Sequence, residues 1–313
     1  MKKLIIYFIF TYTPICLFPQ ADISMATHWY NRANYNPASI ARTDYMYLFS
    51  NIRKQWTGVE GAPKVYNFQG SMYNNPLKSA FGISVVSDNI GITNAFNPTF
   101  SYAYHLSNNP NWSLSFGLSM GIFYRNIDAS KYLPVDDNDQ TLYQDIESST
   151  EPDANIGMEF QNTHFIFGIS TTHIFSINKT ENIYLNANHR YVYTIYKNTN
   201  LDVFNYYVGM QYVNHHNISV LEGNATIRFK SPTGLQKGGR ELFDVGLTYR
   251  SSKQMTLLFG INLSGNFRTG YAYDQIFRTG YNQNGSHELM LEYRIPLKSA
   301  KCETCRDQEL WYR

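Results

Sequence analysis

Two stretches of this chain contain residue types that could support catalysis or bind a metal. Ser286-His287-Glu288 has the residues of a hydrolase triad, but neighbours on a strand point to opposite faces and cannot share one site. The same geometry argues against His215-His216 as a metal pair. The chain has no nucleophile elbow, phosphate loop or paired-histidine zinc motif. We therefore predict no catalytic residues; a hydrolase that combines Ser and His from different strands is the least favoured function.

Acidic residues crowd one segment of the middle of the chain. Calcium loops need carboxylates at spaced positions around a Gly turn, and residues 136–139 have neither the spacing nor the glycine. The sequence predicts a solvated loop here, with no metal and no cofactor; cation binding is the less favoured alternative. The acids are Asp136, Asp137, Asp139, Asp145, Glu147, Glu151 and Asp153.

A Cys-x-x-Cys motif, Cys302 and Cys305, lies near the carboxyl terminus. Such a pair can be a redox centre, half of a zinc site or a simple disulfide. An intrachain four-cysteine site is excluded, since the only other cysteine is Cys16 in the amino-terminal leader. We favour a disulfide in an oxidising periplasm, with attachment to a partner as the alternative.

Composition narrows the fold class of these 313 residues. Charged residues make up 16%, against about 25% in ordinary globular proteins, while aromatic residues also reach 16%. After the amino terminus there is no apolar run of about 18 residues, as a membrane helix would need. The many aromatics argue against disorder, and a net charge of +2 gives no electrostatic case for nucleic acid. A Tyr-rich β protein remains, either a soluble sandwich or an outer-membrane barrel.

The amino terminus has the pattern of a secretory signal peptide. Lys2 and Lys3 precede an apolar stretch, residues 4–18, that is too short to span a membrane. We expect residues 1–20 to be removed, which takes Lys plus Arg from 26 to 24 and equals the 24 acids. A lipoprotein reading based on Cys16 is less favoured, because Ile15 is bulky where a lipobox has a small residue.

Hydrophobic residues alternate with small or polar ones through most of the chain. Residues 113–122 place Leu, Phe, Met and Ile on one face and Ser and Gly on the other. Residues 255–263 and 289–297 repeat the pattern, which is typical of strands between lipid and a wet lumen. No stretch has a sustained helical period.

Turn signals divide the chain into fourteen predicted strands, an even number as in bacterial barrels. We predict a transmembrane antiparallel outer-membrane β-barrel over 43–297, with periplasmic extensions at 21–42 and 298–313. A soluble sandwich is less favoured, because its strands are shorter. The strands are predicted to begin near Asp44, Lys64, Ser79, Asn94, Asn111, Asp153, His164, Asn182, Thr199, Asn217, Glu241, Gln254, Asn266 and Gly285.

The connections between these strands alternate in length. Every second connection is mostly short, which predicts that these connections lie on the periplasmic side of the barrel. The connections between them include the long ones, which are predicted to face outward. The connection at 231–240 is an exception, because it is long but lies on the periplasmic parity. Tyrosines near strand ends predict interfacial girdles. They include Tyr45, Tyr47, Tyr102, Tyr104, Tyr191, Tyr193, Tyr196, Tyr271 and Tyr273.

Five segments, in order, resemble the PorP/SprF family of type IX secretion system membrane proteins. Residues 35–39 (YNPAS) are similar to its N-P-A entry motif, although Ile40-Ala41 stands where the family usually has Gly. Residues 53–63 (RKQWTGVEGAP) match its most specific signature, R-x-Q-W-x-G-x-x-G-A-P. Residues 81–91, 270–274 (GYAYD) and 285–291 (GSHELML) match the later motifs.

This resemblance implies an integral outer-membrane component of the type IX secretion and gliding machinery. The implied role is to anchor periplasmic lipoproteins, a ring component and a peptidoglycan-binding one, with exported proteins as further candidate partners. A porin-like solute-transport barrel is the alternative function. The candidate interaction residues are Asn36, Pro37, Arg53, Gln55, Trp56, Gly58, Gly61 and Pro63.

Overall fold

The computed structural model of the chain describes residues 25–41, 45–109, 111–128, 146–176, 186–199, 201–215, 218–231, 241–277 and 284–297. Within these ranges the chain forms fourteen antiparallel strands of 8 to 17 residues. They are β1 (Tyr45–Lys54), β2 (Lys64–Asn74), β3 (Ser79–Ile90), β4 (Thr93–Asn109), β5 (Trp112–Asp128), β6 (Ile146–Asn162), β7 (Phe165–Thr172), β8 (His189–Asn198), β9 (Phe204–His215), β10 (Ile218–Lys230), β11 (Glu241–Arg250), β12 (Gln254–Asn262), β13 (Phe267–Ile276) and β14 (Ser286–Pro296).

The strands close into a barrel in which each strand pairs with its neighbours in sequence. The barrel closes where β1 pairs with β14, with Tyr45 opposite Pro296 and Lys54 opposite His287. This confirms the predicted fold class. We call the end at which β1 begins and β14 ends the terminal end, and the other the far end. The only helices among the described residues are single 3₁₀ turns, and none of them is long and apolar enough to cross a membrane.

The two faces of the barrel differ as the alternation predicts. Leu118 and Met120 of β5 are 44% and 57% exposed on the outer face, whereas Ser115 and Ser119 are buried inside. In β14, Leu289 and Leu291 point outward while Glu288 and Glu292 are buried in the lumen. The outer face therefore suits lipid, and the inner face carries most of the polar side chains.

Most predicted strand starts lie within one residue of the observed ones. Larger differences occur at β6, β8 and β9; β6 and β9 begin at Ile146 and Phe204 instead of near Asp153 and Thr199. Residues 146–152 of β6 pair with the far end of β5 although they are polar and do not alternate. The predicted start at Asn182 lies outside the described residues, and β8 begins at His189.

Residues 25–41 lie inside the barrel, which corrects the prediction that the segment 21–42 is presented to periplasmic partners. They form three short 3₁₀ helices, Ala26–Trp29, Arg32–Asn34 and Pro37–Ile40. Most of their side chains are buried. The physical reason is that a polar segment without alternation can be bound by a polar lumen as readily as by water. We call residues 25–41 the luminal segment.

Several predictions concern residues outside the described ranges. These are the signal peptide 1–20, the tail 298–313 with Cys302 and Cys305, the connection at 232–240, and Asp136, Asp137, Asp139 and Asp145. Of the remaining acids, Asp153 is on β6 with a buried side chain. The predictions for the segments beyond the described ranges stay predictions.

Candidate functional site

Local capping explains how the luminal segment folds into tight turns. Asn36 precedes the helix Pro37–Ile40, and its side-chain oxygen accepts a hydrogen bond from the Ala38 amide at 2.9 Å. Pro37 occupies the first helical position, where its missing N–H costs nothing. Asn31 caps the helix Arg32–Asn34 in the same way, through the Ala33 amide at 3.2 Å. The N-P-A motif is thus the start of the third turn.

Glu288 of β14 binds the beginning of the luminal segment. Its carboxylate accepts hydrogen bonds from the backbone amides of Ala26 at 2.7 Å and Thr27 at 3.1 Å, and from the Thr27 hydroxyl. Arg53 of β1 lies 3.2 Å from the same carboxylate and also pairs with Asp274 of β13. All five side chains are buried, so the cluster links three strands to the segment.

A second buried carboxylate, Glu222 of β10, binds the next turn. It lies 2.7 Å from His28 Nε2 and accepts a hydrogen bond from the Trp29 indole. Arg250 of β11 supplies the balancing cation. Glu222 therefore fixes two adjacent aromatic side chains of the segment.

A third buried carboxylate, Asp244 of β11, binds Tyr30 of the luminal segment. The Tyr30 hydroxyl donates to this carboxylate at 2.6 Å, and Arg268 of β13 pairs with the same group. The Arg268 guanidinium also lies 4.2 Å from the centroid of the Tyr30 ring. This combines a charge-assisted hydrogen bond with a cation–π contact.

Arg32 of the luminal segment forms an ion pair with Glu159 of β6, on the opposite side of the barrel. The guanidinium donates twice, from Nε at 2.8 Å and Nη2 at 3.1 Å, and the Arg32 side chain is fully buried. Glu159 also accepts from the Tyr193 hydroxyl of β8 at 2.5 Å, and Asn36 donates to that hydroxyl oxygen at 2.9 Å. The network joins two turns of the segment to two strands.

Three inward-facing glycines make room for the segment. A Cβ at Gly117 of β5 would overlap the backbone of Pro37 and Ala38. A Cβ at Gly157 of β6 would overlap Asn36, and one at Gly209 of β9 would overlap the Trp29 ring. The close approach of the segment to the wall therefore requires glycine at these positions.

The luminal segment is linked to every strand, either by direct polar bonds and close approaches or through membership of a shared apolar cluster. Trp29 and Tyr35 belong to one buried cluster, Ala26 and Tyr30 to a second, and Ile40 to a third. The segment therefore lies across the lumen. The wall residues, from β1 to β14, are Asn51, Gln69, Gly82, Ala103, Gly117, Glu159, Ile166, Tyr193, Gly209, Glu222, Asp244, Leu258, Ala272 and Glu288.

The candidate residues of the signature 53–63 fall into two places. Arg53 lies within β1 and faces the lumen, whereas Gln55, Trp56, Gly58, Gly61 and Pro63 form the β1–β2 connection at the far end. The backbone N–H of Gln55 donates to the Pro63 carbonyl at 2.9 Å. Gly58 and Gly61 have φ of 98° and 69°, values that favour glycine. Trp56 is 38% exposed, and its amide donates to the Ser286 hydroxyl at 3.2 Å.

The β1–β2 connection bridges its neighbours at the far end. Thr57 exchanges backbone hydrogen bonds with Asn284 and Gly285, which precede β14. On the other side the Gly91 amide, between β3 and β4, donates to the Gly61 carbonyl at 2.9 Å. The candidate pair Asn36 and Pro37 does not lie here, but deep in the lumen.

Sequence reasoning assigned no role to the five carboxylates that bind the luminal segment or Arg53. Asp274 and Glu288 lie in the motifs at 270–274 and 285–291, but Asp274 was not named individually and Glu288 was considered only as a member of the excluded triad. A signal was present, because each acid stands at an inward position of an alternating strand, where burial requires a partner. The other three are Glu159, Glu222 and Asp244.

A cavity of about 340 Å³ lies between the luminal segment and the far end. Met25, His28 and Tyr35 form part of its floor, and His173, His189 and His215 line one wall. No group of three or more His, Cys, Asp or Glu in the described ranges is arranged to hold a metal ion. Ser286 and Glu288 face the lumen while His287 bonds Tyr271 on the outer side, so these three residues do not form a triad.

Several solved structures resemble the chain. The monoaromatic hydrocarbon channel CymD is 11% identical, with 88% of this chain and 94% of that chain covered and a TM-score of 0.49. The Ralstonia pickettii toluene transporter TbuX is 11% identical over 90% and 96%, with a TM-score of 0.47. The Acinetobacter baumannii outer membrane protein Omp33 is 10% identical over 81% and 100%, with a TM-score of 0.46. No curated protein sequence matched the chain.

One protein-family model matches most of the chain. Residues 18–293 match the family model described as "Type IX secretion system membrane protein PorP/SprF". This range contains the luminal segment and the five motif segments. Together with the closed barrel, it assigns the protein to the outer membrane and indicates a structural or transport role. The chain therefore belongs to the PorP/SprF family of type IX secretion system membrane proteins.

Proposed function

We propose that this protein is a non-conducting anchor that holds periplasmic components of the type IX secretion and gliding machinery at the outer membrane. The observation that supports this role is the luminal segment, which is joined to all fourteen strands either directly or through a shared apolar cluster. A barrel of about this size has room for a ligand or water channel unless something fills it. A filled lumen suits a rigid support better than a pore.

The surfaces proposed for partner binding lie at the terminal end. β14 ends there at Pro296, just before the tail 298–313 in the sequence, and Lys230 of β10 and Glu241 of β11, which flank the connection at 232–240 in the sequence, also lie at this end. With the orientation predicted from loop parity, both segments face the periplasm. The partners implied by the family are a ring lipoprotein and a peptidoglycan-binding lipoprotein.

Co-purification from cells tests the anchoring role. A chain that ends at Leu297 should lose both lipoproteins while its barrel reaches wild-type levels in the outer membrane. Replacement of Cys302 and Cys305 by Ser in the full-length chain is the matched control, which separates loss of the tail from loss of a disulfide. If lipoprotein recovery is unchanged in the truncated chain and in a second variant with 232–240 replaced by a short Gly-Ser linker, the anchoring proposal is refuted.

The second candidate function is solute transport, which the cavity above the luminal segment favours. Planar-bilayer recordings of the purified protein distinguish the two functions. A non-conducting anchor gives no steady current. A stable single-channel conductance from the wild-type protein would favour transport and would count against a permanently filled lumen.

A further inference from the structure

The luminal segment runs from the far end of the barrel to the terminal end. At its beginning, the Ala26 amide donates to Glu288 at 2.7 Å, and Glu288 lies opposite Arg53, the last residue but one of β1 at the far end. At its end, Ile40 packs against Ala80, the second residue of β3, which begins at the terminal end. The chain therefore passes down the lumen before it enters β1.

Met25 is the point at which the segment meets the far-end cavity. Its side chain is buried and lines the cavity, and its sulfur lies 3.2 Å from Asn51 Nδ2 on β1. The backbone at Met25 is extended, with φ of −70° and ψ of 133°, so the turns of the segment begin only after it. The direction of the chain at this point leads from the cavity into the segment.

Four residues precede Met25 once the predicted signal peptide 1–20 is removed. They are Ala21, Asp22, Ile23 and Ser24, and they lie outside the described ranges. A chain of four residues reaches at most about 14 Å, so its free end stays close to Met25. A segment attached beside a site has an effective concentration on the order of millimolar there, which a freely diffusing ligand must match.

The lining of the cavity suits a short peptide of mixed polarity. Val65 of β2, Val86 of β3 and Val213 of β9 provide apolar surface, and Asn67 and Gln69 of β2 provide polar groups. The sequence Ala-Asp-Ile-Ser has the same mixture, one large apolar side chain between two polar ones. A volume of about 340 Å³ is within the range of sites for drug-sized ligands, and a four-residue peptide is of that size.

We infer that the far-end cavity is the binding site of the chain's own mature amino terminus, residues 21–24. In the precursor, the apolar stretch 4–18 is attached to the same segment and exceeds what this cavity can hold. Removal of the signal peptide therefore completes the closure of the lumen at the far end. The inference is independent of the anchoring role, because the proposed anchor lies at the terminal end.

Thiol protection in the purified full-length protein tests this inference, in a background where Cys302 and Cys305 are Ser. Ile23→Cys should react with a water-soluble maleimide at least about tenfold more slowly than Glu60→Cys, which places a thiol on the exposed β1–β2 connection at the same end. In detergent the reagent reaches both ends of the barrel, so slow labelling reports burial and not orientation. Mass spectrometry of the amino-terminal peptide should show a chain that begins near Ala21.

Cross-linking locates the terminus within the barrel. Under mild oxidation, Ile23→Cys should form a disulfide with at least one of Val65→Cys, Val86→Cys and Val213→Cys, each tested as a separate pair. The matched control is Leu77→Cys, since Leu77 is 57% exposed at the terminal end and should not cross-link.

Three results would each overturn the inference. They are labelling of Ile23→Cys as fast as that of Glu60→Cys, cross-linking to none of the three cavity positions, and a mature chain that retains the signal peptide. A cavity that is empty or holds a solute would give the first two results.

Discussion

Replacement of Glu159 by Gln should release the luminal segment from the barrel wall. The carboxylate is the partner of Arg32, whose guanidinium is fully buried and donates to it at 2.8 and 3.1 Å. Removing one member of a buried ion pair costs about 3–5 kcal/mol, because the other charge stays buried without compensation. At 1.4 kcal/mol for each power of ten, the equilibrium between bound and released segment should shift by about two to three and a half powers of ten.

Thiol labelling measures this shift in a background where Cys302 and Cys305 are Ser. Ser39 of the luminal segment is 1% exposed, so Ser39→Cys places a buried thiol in the segment. A water-soluble maleimide reacts only when the segment leaves the wall, and the labelling rate follows the released fraction when release is fast. Glu159→Gln should raise this rate by about 100-fold or more. Conductance in planar bilayers should appear in the same variant.

The matched control removes both members of the pair. Arg32→Met combined with Glu159→Gln leaves no uncompensated charge, and the Gln side chain still accepts from the Tyr193 hydroxyl. This double variant should label at close to the wild-type rate. If Glu159→Gln labels as slowly as the wild type while its barrel is folded, the ion pair does not hold the segment. Equal labelling of the single and double variants would likewise refute the argument from buried charge.

Three further predictions address other residues. Gly117→Ala places a methyl group against the backbone of the segment and should cost about 1–3 kcal/mol, raising thiol labelling at least fivefold, whereas Gly223→Ala meets no atom within 4 Å and should change nothing. Trp56→Ala should reduce secretion at wild-type barrel levels if this exposed ring contacts an exported protein, and intact secretion would remove that role. Cys302 and Cys305 should be found as a disulfide by mass spectrometry of alkylated outer-membrane protein, and two alkylated thiols without prior reduction would contradict this.

Alternation, with turn signals that separate the strands, predicted the barrel, because alternation shows which face of each strand meets lipid. The starts predicted at Lys64, Ser79, Glu241 and Gln254 coincide with the observed ones. The predicted and observed starts differ where apolar and polar residues do not alternate, as at the far end of β6, because the strand continues there in polar residues. Alternation of apolar and polar residues therefore identifies a strand only where its two faces meet different surroundings.

The contents of the lumen could not be predicted in the same way. Tyr191 and Tyr193 were expected in an interfacial girdle, but their parity on β8 places them inside, against the luminal segment. Tyr102 and Tyr271 do lie on the outer face, each about 40% exposed. A tyrosine near a strand end suits either setting, because it combines an apolar ring with a polar hydroxyl. The odd or even position of the tyrosine along its strand decides whether it faces the lumen or the lipid. This position must be counted separately for each strand.

The barrel wall binds the luminal segment through apolar clusters as well as polar contacts. The position of the segment is specified by directional contacts, in which Glu159, Glu222, Asp244 and Glu288 each accept from a specific donor of the segment. Buried charges of this kind contribute little net stability, yet a shifted segment would leave each of them unpaired. The network therefore selects one position of the segment more strongly than it stabilises the barrel. That property suits a support with a fixed, closed interior, and it makes the closure sensitive to single substitutions that the barrel itself tolerates.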